Sequence, residues 1–347
     1  MRNLSPPEVP RQRSQGSTLQ PPLLIIGSPR SGTTFLTRMA NRFLDTYVSR
    51  DAGLFLRFRH VAARYGDLAA PGVMPRLVED LFQDLLFRRR FLERGFRFSA
   101  ADIVRRIDEP TYAGLVRQIL QANAESHGRR YWGNKRPSYA LSPDVLEHVF
   151  PGARVVQIIR DGRDVVLSMR RSRGLLVEKN WYFAASDWKD HVDQGRTAGH
   201  LLGPGRYLEV TYEGLIEDPL GVLGRIGAFI GDDLATTLEA RRVEILRRTR
   251  SDNSGKWRRQ MPRAARRITE RVAGDLLADL GYDVEFPELH GRPFSRAHRG
   301  LFQVDRLMRN VFTRDLRKSF NYRVNLVRGA MRRLGIPGTT RPTEGAR

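Results

Sequence analysis

Leu23-Leu24-Ile25-Ile26-Gly27-Ser28-Pro29-Arg30-Ser31-Gly32-Thr33-Thr34 is the stretch on which the fold turns. Four consecutive apolar residues ending at a glycine have the pattern of a strand buried on both faces, as in a parallel sheet, running into a tight turn. Beyond the turn, apolar residues at 35, 36, 39 and 43 with polar ones between them predict a helix from Gly32 to Phe43. A strand that passes through a Gly/Ser/Thr loop into a helix aims successive backbone N–H groups at one point. An anion is the natural occupant of that point.

The same arrangement recurs downstream without repeating the sequence. Arg154-Val155-Val156-Gln157-Ile158-Ile159 follows a Pro151-Gly152 turn and leads through Arg160-Asp161-Gly162 into a predicted helix over Val165 to Met169. A third strand is expected at Arg206-Tyr207-Leu208-Glu209-Val210, with a helix after Asp218-Pro219. Strands that alternate with helices imply a parallel sheet. The expected fold class is α/β: a three-layer P-loop-type domain with a central parallel sheet, over residues 22–290. Between the first two of these strands a mostly helical insertion spans Leu54 to His127, and Ser99 with Asp102 forms a capping box that opens one of its helices.

Composition bounds the function. A chain of 347 residues with 40% apolar content can close a substantial core. The absence of cysteine excludes disulfides, thiolate metal sites and thiol catalysis. Residues 1–21, rich in Pro, Ser and Gln, read as a disordered leader without the apolar run of a signal peptide, and a cytoplasmic location is expected. The formal charge of +22 implies an anionic ligand. Lysine occurs only at 135, 179, 189, 256 and 318, so Lys135 and Lys256 are the informative cations.

Residues 291–347 form a basic extension. From Leu301 apolar residues recur at near-helical spacing as far as 334, with Arg and Lys crowded between them. Such a basic amphipathic helix either packs its stripe on the domain or a second subunit, or lies on a membrane surface.

The loop has the glycine spacing of a P-loop, yet Thr33 stands where a nucleoside triphosphatase carries the lysine that reaches the β- and γ-phosphates. With Arg30 gained and that lysine lost, the loop suits a mixed phosphate–sulfate anhydride better than a Mg²⁺ triphosphate. Ser28 to Phe35 resembles the 5′-phosphosulfate loop of PAPS-dependent sulfotransferases (PAPS being 3′-phosphoadenosine-5′-phosphosulfate), and its Pro-Arg-Ser-Gly-Thr-Thr core resembles the bacterial and tyrosylprotein branches. That resemblance implies that Arg30, Ser31, Gly32, Thr33 and Thr34 hold the 5′-phosphate and sulfuryl oxygens, with Arg30 stabilising charge as the S–O bond breaks. A solvated loop charge is the plain alternative for Arg30.

Ile159 to Ser168 resembles the family's 3′-phosphate segment, which implies that Arg160 and Ser168 grip one phosphate. Arg160 ends a parallel strand, where α/β folds bind ligands. Its alternative is an ion pair with Asp161 or Asp164, and the alternative for Ser168 is a plain helix-surface serine. Arg163 and Arg171 are expected to be solvated. Ser254-Gly255-Lys256-Trp257 resembles the C-terminal nucleotide contact, with Lys256 as its charge, or else is an ordinary solvated turn. Tyr212 resembles the tyrosine near the adenosine, with core packing as the equal reading.

Trp132 to Pro137 resembles the family's Lys-x-Pro element, which implies that Lys135 protonates or polarises the leaving phosphate oxygen. Counting from Arg30, the carboxylate of the tyrosylprotein branch falls on Asp51, a candidate base whose alternative is a surface ion pair with Arg50; His60 competes for the role. The acceptor is expected to be a small-molecule, saccharide or lipid hydroxyl or amine, with no metal and no nucleic acid involved. The rival enzyme class is a small-molecule kinase using Mg-ATP, with Asp161 as the metal carboxylate.

Overall fold

The computed structural model describes residues 21–312 except 52, 173–179, 233–234 and 250–252. Five strands, β1 (Leu23–Ile26), β2 (Thr46–Ser49), β3 (Tyr131–Lys135), β4 (Arg154–Ile159) and β5 (Tyr207–Thr211), form one sheet in the order β2-β3-β1-β4-β5. Every pairing in it is parallel. Helix α1 (Thr33–Phe43) connects β1 to β2. Helices α2 (Leu54–Ala62), α3 (Val73–Gln83), α4 (Leu85–Arg90), α5 (Ala100–Arg106) and α6 (Tyr112–Ser126) fill the passage from β2 to β3, and α7 (Pro143–His148) precedes β4. Helices α8 (Gly162–Arg171) and α9 (Trp181–Leu202) lie between β4 and β5. After β5 come α10 (Tyr212–Glu217), α11 (Pro219–Ile230), α12 (Ala235–Ala240), α13 (Arg242–Arg248), α14 (Trp257–Gln260), α15 (Arg263–Asp279) and α16 (Arg296–Phe312).

The four apolar residues of β1 divide between two cores. Leu24 and Ile26 pack with Leu54, Phe55, Leu77, Leu115 and Ile119 from α2, α3 and α6. Leu23 and Ile25 pack with Leu36, Met39, Leu223 and Ile226 from α1 and α11. Alternate side chains of a strand point to opposite faces, so this split places helices on both sides of the sheet and makes three layers. All four are at most 1% exposed. At ~1.5–3 kcal/mol for each buried side chain of this size, a polar residue at any of them would unseat the loop that follows.

The strand at 46–49 escapes the period rules because it is four residues long and mixes Thr, Tyr, Val and Ser at the sheet's edge. The helical insertion therefore follows β2 rather than β1 directly. The capping box at α5 forms as expected, Ser99 Oγ accepting from the Asp102 amide at 3.2 Å and the Asp102 carboxylate accepting from the Ser99 amide at 2.8 Å. Of the basic extension, α16 packs Phe302 face to face on Tyr182 with ring centroids 4.8 Å apart. Its continuation beyond 312 and the leader at 1–20 lie outside the described residues. Among the described residues no helix is long and apolar enough to cross a membrane.

Candidate active site

β1 and β4 are neighbours, with Ile26 opposite Gln157, so the two sequence islands that follow them emerge side by side at the carboxyl end of the sheet. The chain continues from β1 toward one edge and from β4 toward the other, and such a reversal opens a crevice in which α/β folds bind ligands.

The first island turns on two glycines. Gly32 has φ 98°, and a Cβ there would lie 2.5 Å from the Tyr212 ring, while a Cβ at Gly27 would lie 2.4 Å from the Ile158 carbonyl oxygen. Neither place admits a side chain. Arg30 has φ 76°, alone among the described non-glycine residues in taking a positive value. That conformation costs roughly 1–2 kcal/mol, and it aims the guanidinium across the crevice, where Nε donates to Ser168 Oγ at 3.0 Å.

Arg160 is 5% exposed and reaches the carbonyls of Arg30, at 3.4 Å, and of Asn253. Its guanidinium lies 4.4 Å from the centre of the Tyr212 ring and 3.6 Å from Asp164. Asp164 does more than pair with it. The Asp164 carboxylate accepts from the amides of Gly255, at 2.7 Å, and Trp257, at 2.9 Å, and so pins the turn that carries Ser254 and Lys256 to the second island. Asn253 Nδ2 donates to the Tyr212 hydroxyl at 3.1 Å.

Arg163 corrects the reading that it is solvated. It is 1% exposed, with Nε and Nη2 donating to the two oxygens of Asp161 at 3.1 and 2.9 Å and Nη1 donating to Glu270 at 2.8 Å. Its plane stacks 3.6 Å from the Trp257 ring. Both oxygens of Asp161 are thereby engaged, which disfavours it as the metal carboxylate of a kinase. Arg171 is exposed, as expected, and donates to Gln260.

Lys135 ends β3, and its Nζ lies 3.3 Å from Thr34 Oγ1. Burial, and then the nearby Arg50, push its ammonium pKa down to about 8. Asp51 follows β2 and is fully buried rather than paired at the surface. Its oxygens accept the amides of Gly53 at 3.3 Å and Phe55 at 3.1 Å, which fastens the start of α2, and burial raises its carboxyl pKa. His60 is exposed on α2.

A cleft of about 1140 Å³ runs along α1 from Tyr212, Asn253 and Lys256 to Arg50, Arg90 and Arg94. Ten of its lining residues are Arg or Lys and none is Asp or Glu. Ser31 Oγ and Arg160 Nε are buried without a hydrogen-bond partner among the described residues. Buried donors are rarely left unpaired, and donors free beside a glycine-lined turn match the oxygens of a bound phosphate or sulfate. The residues present fit PAPS.

Sequence reasoning named Asp164 only as a possible ion-pair partner of Arg160, missing its hold on the turn at 254–257, and passed over Asn253 and the Arg163–Glu270 pair. Asp164 had a readable signal, since it lies one helical turn after Arg160; Asn253 and Glu270 had none, because only the fold brings them to the site.

An α/β domain with a glycine-turned anion loop, a second cation at the neighbouring strand end and a lysine beside the loop defines a group-transfer enzyme acting on a phosphorylated nucleotide. A sequence model described as the Sulfotransferase family matches residues 21–236, and the chain belongs to that family. It is a PAPS-dependent sulfotransferase. It is similar to protein-tyrosine sulfotransferase 2 of Gallus gallus, 25% identical over 297 residues that cover 78% of this chain and 72% of that one. Carbohydrate sulfotransferase 5 of Mus musculus is 29% identical over 176 residues, 41% of this chain and 45% of that protein. Among solved structures, the sulfotransferase domain from the Synechococcus PCC 7002 olefin synthase is 24% identical with a TM-score of 0.48, covering 79% of this chain and 99% of that one.

Proposed function

We propose that the first island holds the donor's 5′-phosphosulfate, through Arg30, Ser31, Gly32, Thr33 and Thr34, and that Arg160, Ser168, Ser254, Gly255 and Lys256 hold its 3′-phosphate, with Tyr212 beside the adenosine. The bound donor supplies an activated sulfuryl group, which passes in line to a hydroxyl or amine of the acceptor. Arg30 stabilises the charge that develops on the departing oxygens, and Lys135 polarises the leaving phosphate oxygen. Asp51 takes the acceptor proton; the burial that raises its pKa makes it a stronger base than an exposed aspartate. Asp51→Asn should lower turnover by ~10²-fold or more while leaving bisphosphate binding intact; turnover within a few fold of wild type would pass the role to another group.

The observation that carries this reading is the reach across the crevice. Arg30 meets Ser168 from 138 residues away, and Arg160 meets both the Arg30 and the Asn253 carbonyls. Three separate segments thus converge on one place in the crevice. Calorimetry in EDTA tests it, comparing adenosine 3′,5′-bisphosphate with ATP on the wild type and on Arg160→Ala. Tight metal-free binding of the bisphosphate, weakened by at least ~1.5 kcal/mol in the variant, is expected for a charge-assisted contact. Preference for ATP that requires Mg²⁺ would mean a kinase instead.

One observation favours an added peripheral membrane contact on the cytoplasmic side. While α16 turns Phe302 inward, Leu301, Val304, Leu307 and Met308 are 66%, 57%, 62% and 50% exposed, and residues 290–347 carry fourteen Arg plus Lys against three acids. An apolar face on a basic helix suits an anionic lipid surface. Leu301→Asp/Leu307→Asp should abolish sedimentation with phosphatidylserine vesicles, and unchanged sedimentation would remove this contact.

A further inference from the structure

The arginines of the cleft meet a carboxylate at one end only. Arg42, Arg241 and Arg248 share Glu244, at 2.6, 2.9 and 3.3 Å, and Arg241 first, then Arg42, hold that carboxyl down to about 2. At the other end Arg38 on α1, Arg50 after β2, Arg90 at the end of α4 and Arg94 in the turn after it face the same space. None of these four makes an ion pair with a carboxylate among the described residues; Arg94 donates only to the Arg89 carbonyl, at 3.3 Å. Elsewhere the chain pairs its arginines freely, as in Arg57–Asp84, Arg117–Asp108 and Arg266–Glu285. Beyond burial, Arg38, Arg94 and Arg90 each push the Arg50 guanidinium down, the sign of cations gathered without a counter-charge.

We infer that this carboxylate-free wall of Arg38, Arg50, Arg90 and Arg94 binds an acceptor that is itself a polyanion, a saccharide bearing sulfate or phosphate groups besides the hydroxyl that reacts. The inference rests on the reading that Arg30 and Lys135 mark the reactive centre. Arg50 and Arg90 are among the charges that act on Lys135, which places the wall beside that centre rather than at the nucleotide end. The space is adequate for a second ligand, because small-molecule sites commonly enclose roughly 300–1,000 Å³ and this cleft encloses about 1140 Å³. An apolar acceptor would desolvate four guanidiniums without pairing them, whereas sulfate and phosphate oxygens match the guanidinium fork.

An acidic peptide could bring similar charge, but β2, the edge strand beside the wall, is closed to it. Asn41 Nδ2 donates to the Val48 carbonyl at 3.1 Å, and Asn41 Oδ1 accepts from the Val48 amide at 2.7 Å. Both groups through which an extended peptide would add to the sheet there are taken. A saccharide anion needs only the side chains.

Calorimetry with saturating adenosine 3′,5′-bisphosphate tests the wall. The probes are a heparin-derived tetrasaccharide, its desulfated counterpart and a hexaglutamate peptide. The proteins are the wild type, Arg90→Ala/Arg94→Ala, and Arg76→Ala/Arg225→Ala as a control that removes the same charge from exposed positions elsewhere. Wild type and control should bind the sulfated tetrasaccharide alike and the desulfated one weakly. The wall variant should bind the sulfated form at least about tenfold more weakly, with its bisphosphate affinity unchanged. Equal weakening in both variants, undiminished binding by the wall variant, or preference for hexaglutamate would each overturn the proposal. Failure of the wild type to bind the bisphosphate would instead sink the donor-site reading, and the saccharide measurements made without it would still judge the wall.

Discussion

The two regions proposed to hold the donor's phosphates are built by different means. The loop at 27–34 is made by contiguous residues, with backbone amides as donors and glycine conformations as hinges. The region opposite is assembled from residues 160, 164, 168 and 253–257, and its parts are joined by side chains. Asp164 ties the third island to the second, and behind it the fully buried pairing of Arg163 with Asp161 and Glu270 joins α8 to α15. Glu270 in turn accepts the amides of Glu285 and Phe286, each at 2.8 Å. A backbone-made site is specified where it stands. A side-chain-made site depends on a buried charge network that lies out of the ligand's reach.

This difference has a measurable form. Arg163→Met leaves Asp161 and Glu270 buried without their cation, and removing one partner of a buried ion pair costs ~3–5 kcal/mol; denaturant unfolding should report a loss of that size, and an unchanged midpoint would dissolve the distinction between the regions. Arg30→Ala should act mainly on turnover, lowering it ~10²–10³-fold as for a lost transition-state donor, while bisphosphate affinity falls only about tenfold for one lost charge-assisted contact to the 5′-phosphate. Asp164→Asn offers one oxygen to two buried amides, and an unmet buried donor costs ~1–3 kcal/mol. It should therefore weaken bisphosphate binding about tenfold with turnover at saturation preserved; a loss of turnover with affinity intact would reverse its assignment to the donor side.

The smallest effect concerns pH. Because the Lys135 pKa is pushed down to about 8, the side chain is cationic below that pH and loses its proton as the pH rises through it. The donor kcat/KM, which reports the free enzyme, should fall across that limb, and Lys135→Arg should carry the limb above the range of the assay. A wild-type profile flat to pH 10 would remove Lys135 from the reaction.

What the sequence disclosed follows the same division. β1 and β4 were readable to the residue because both are unbroken apolar runs closed by turn residues, and α8 was readable in its interior, though it runs from Gly162 to Arg171 rather than from 165 to 169. β5 starts and ends one residue later than its pattern suggests, at Tyr207 and Thr211. β2 was illegible, since its alternation is too short to stand out. Arg163 was misread because its partners are a neighbour in sequence, Asp161, and a residue 107 positions away. In a chain so rich in arginine, composition favours solvation, and only tertiary contact identifies those that are buried, such as Arg163.

The parallel sheet sets a timetable for the chain. Leu23 of β1 stands opposite Gly133 of β3 and Arg154 of β4, so neither neighbour of this apolar strand exists until more than a hundred further residues have been made. During synthesis Leu23 to Ile26 has no strand to pair with, and loop closure over such separations slows folding. Tyr212 reaches Gly32 only after β5 has been made, and residues 253–257 follow later still, which makes the proposed nucleotide pocket among the last parts of the domain to be completed. Donor present during refolding should therefore trap the finished protein rather than guide its early stages.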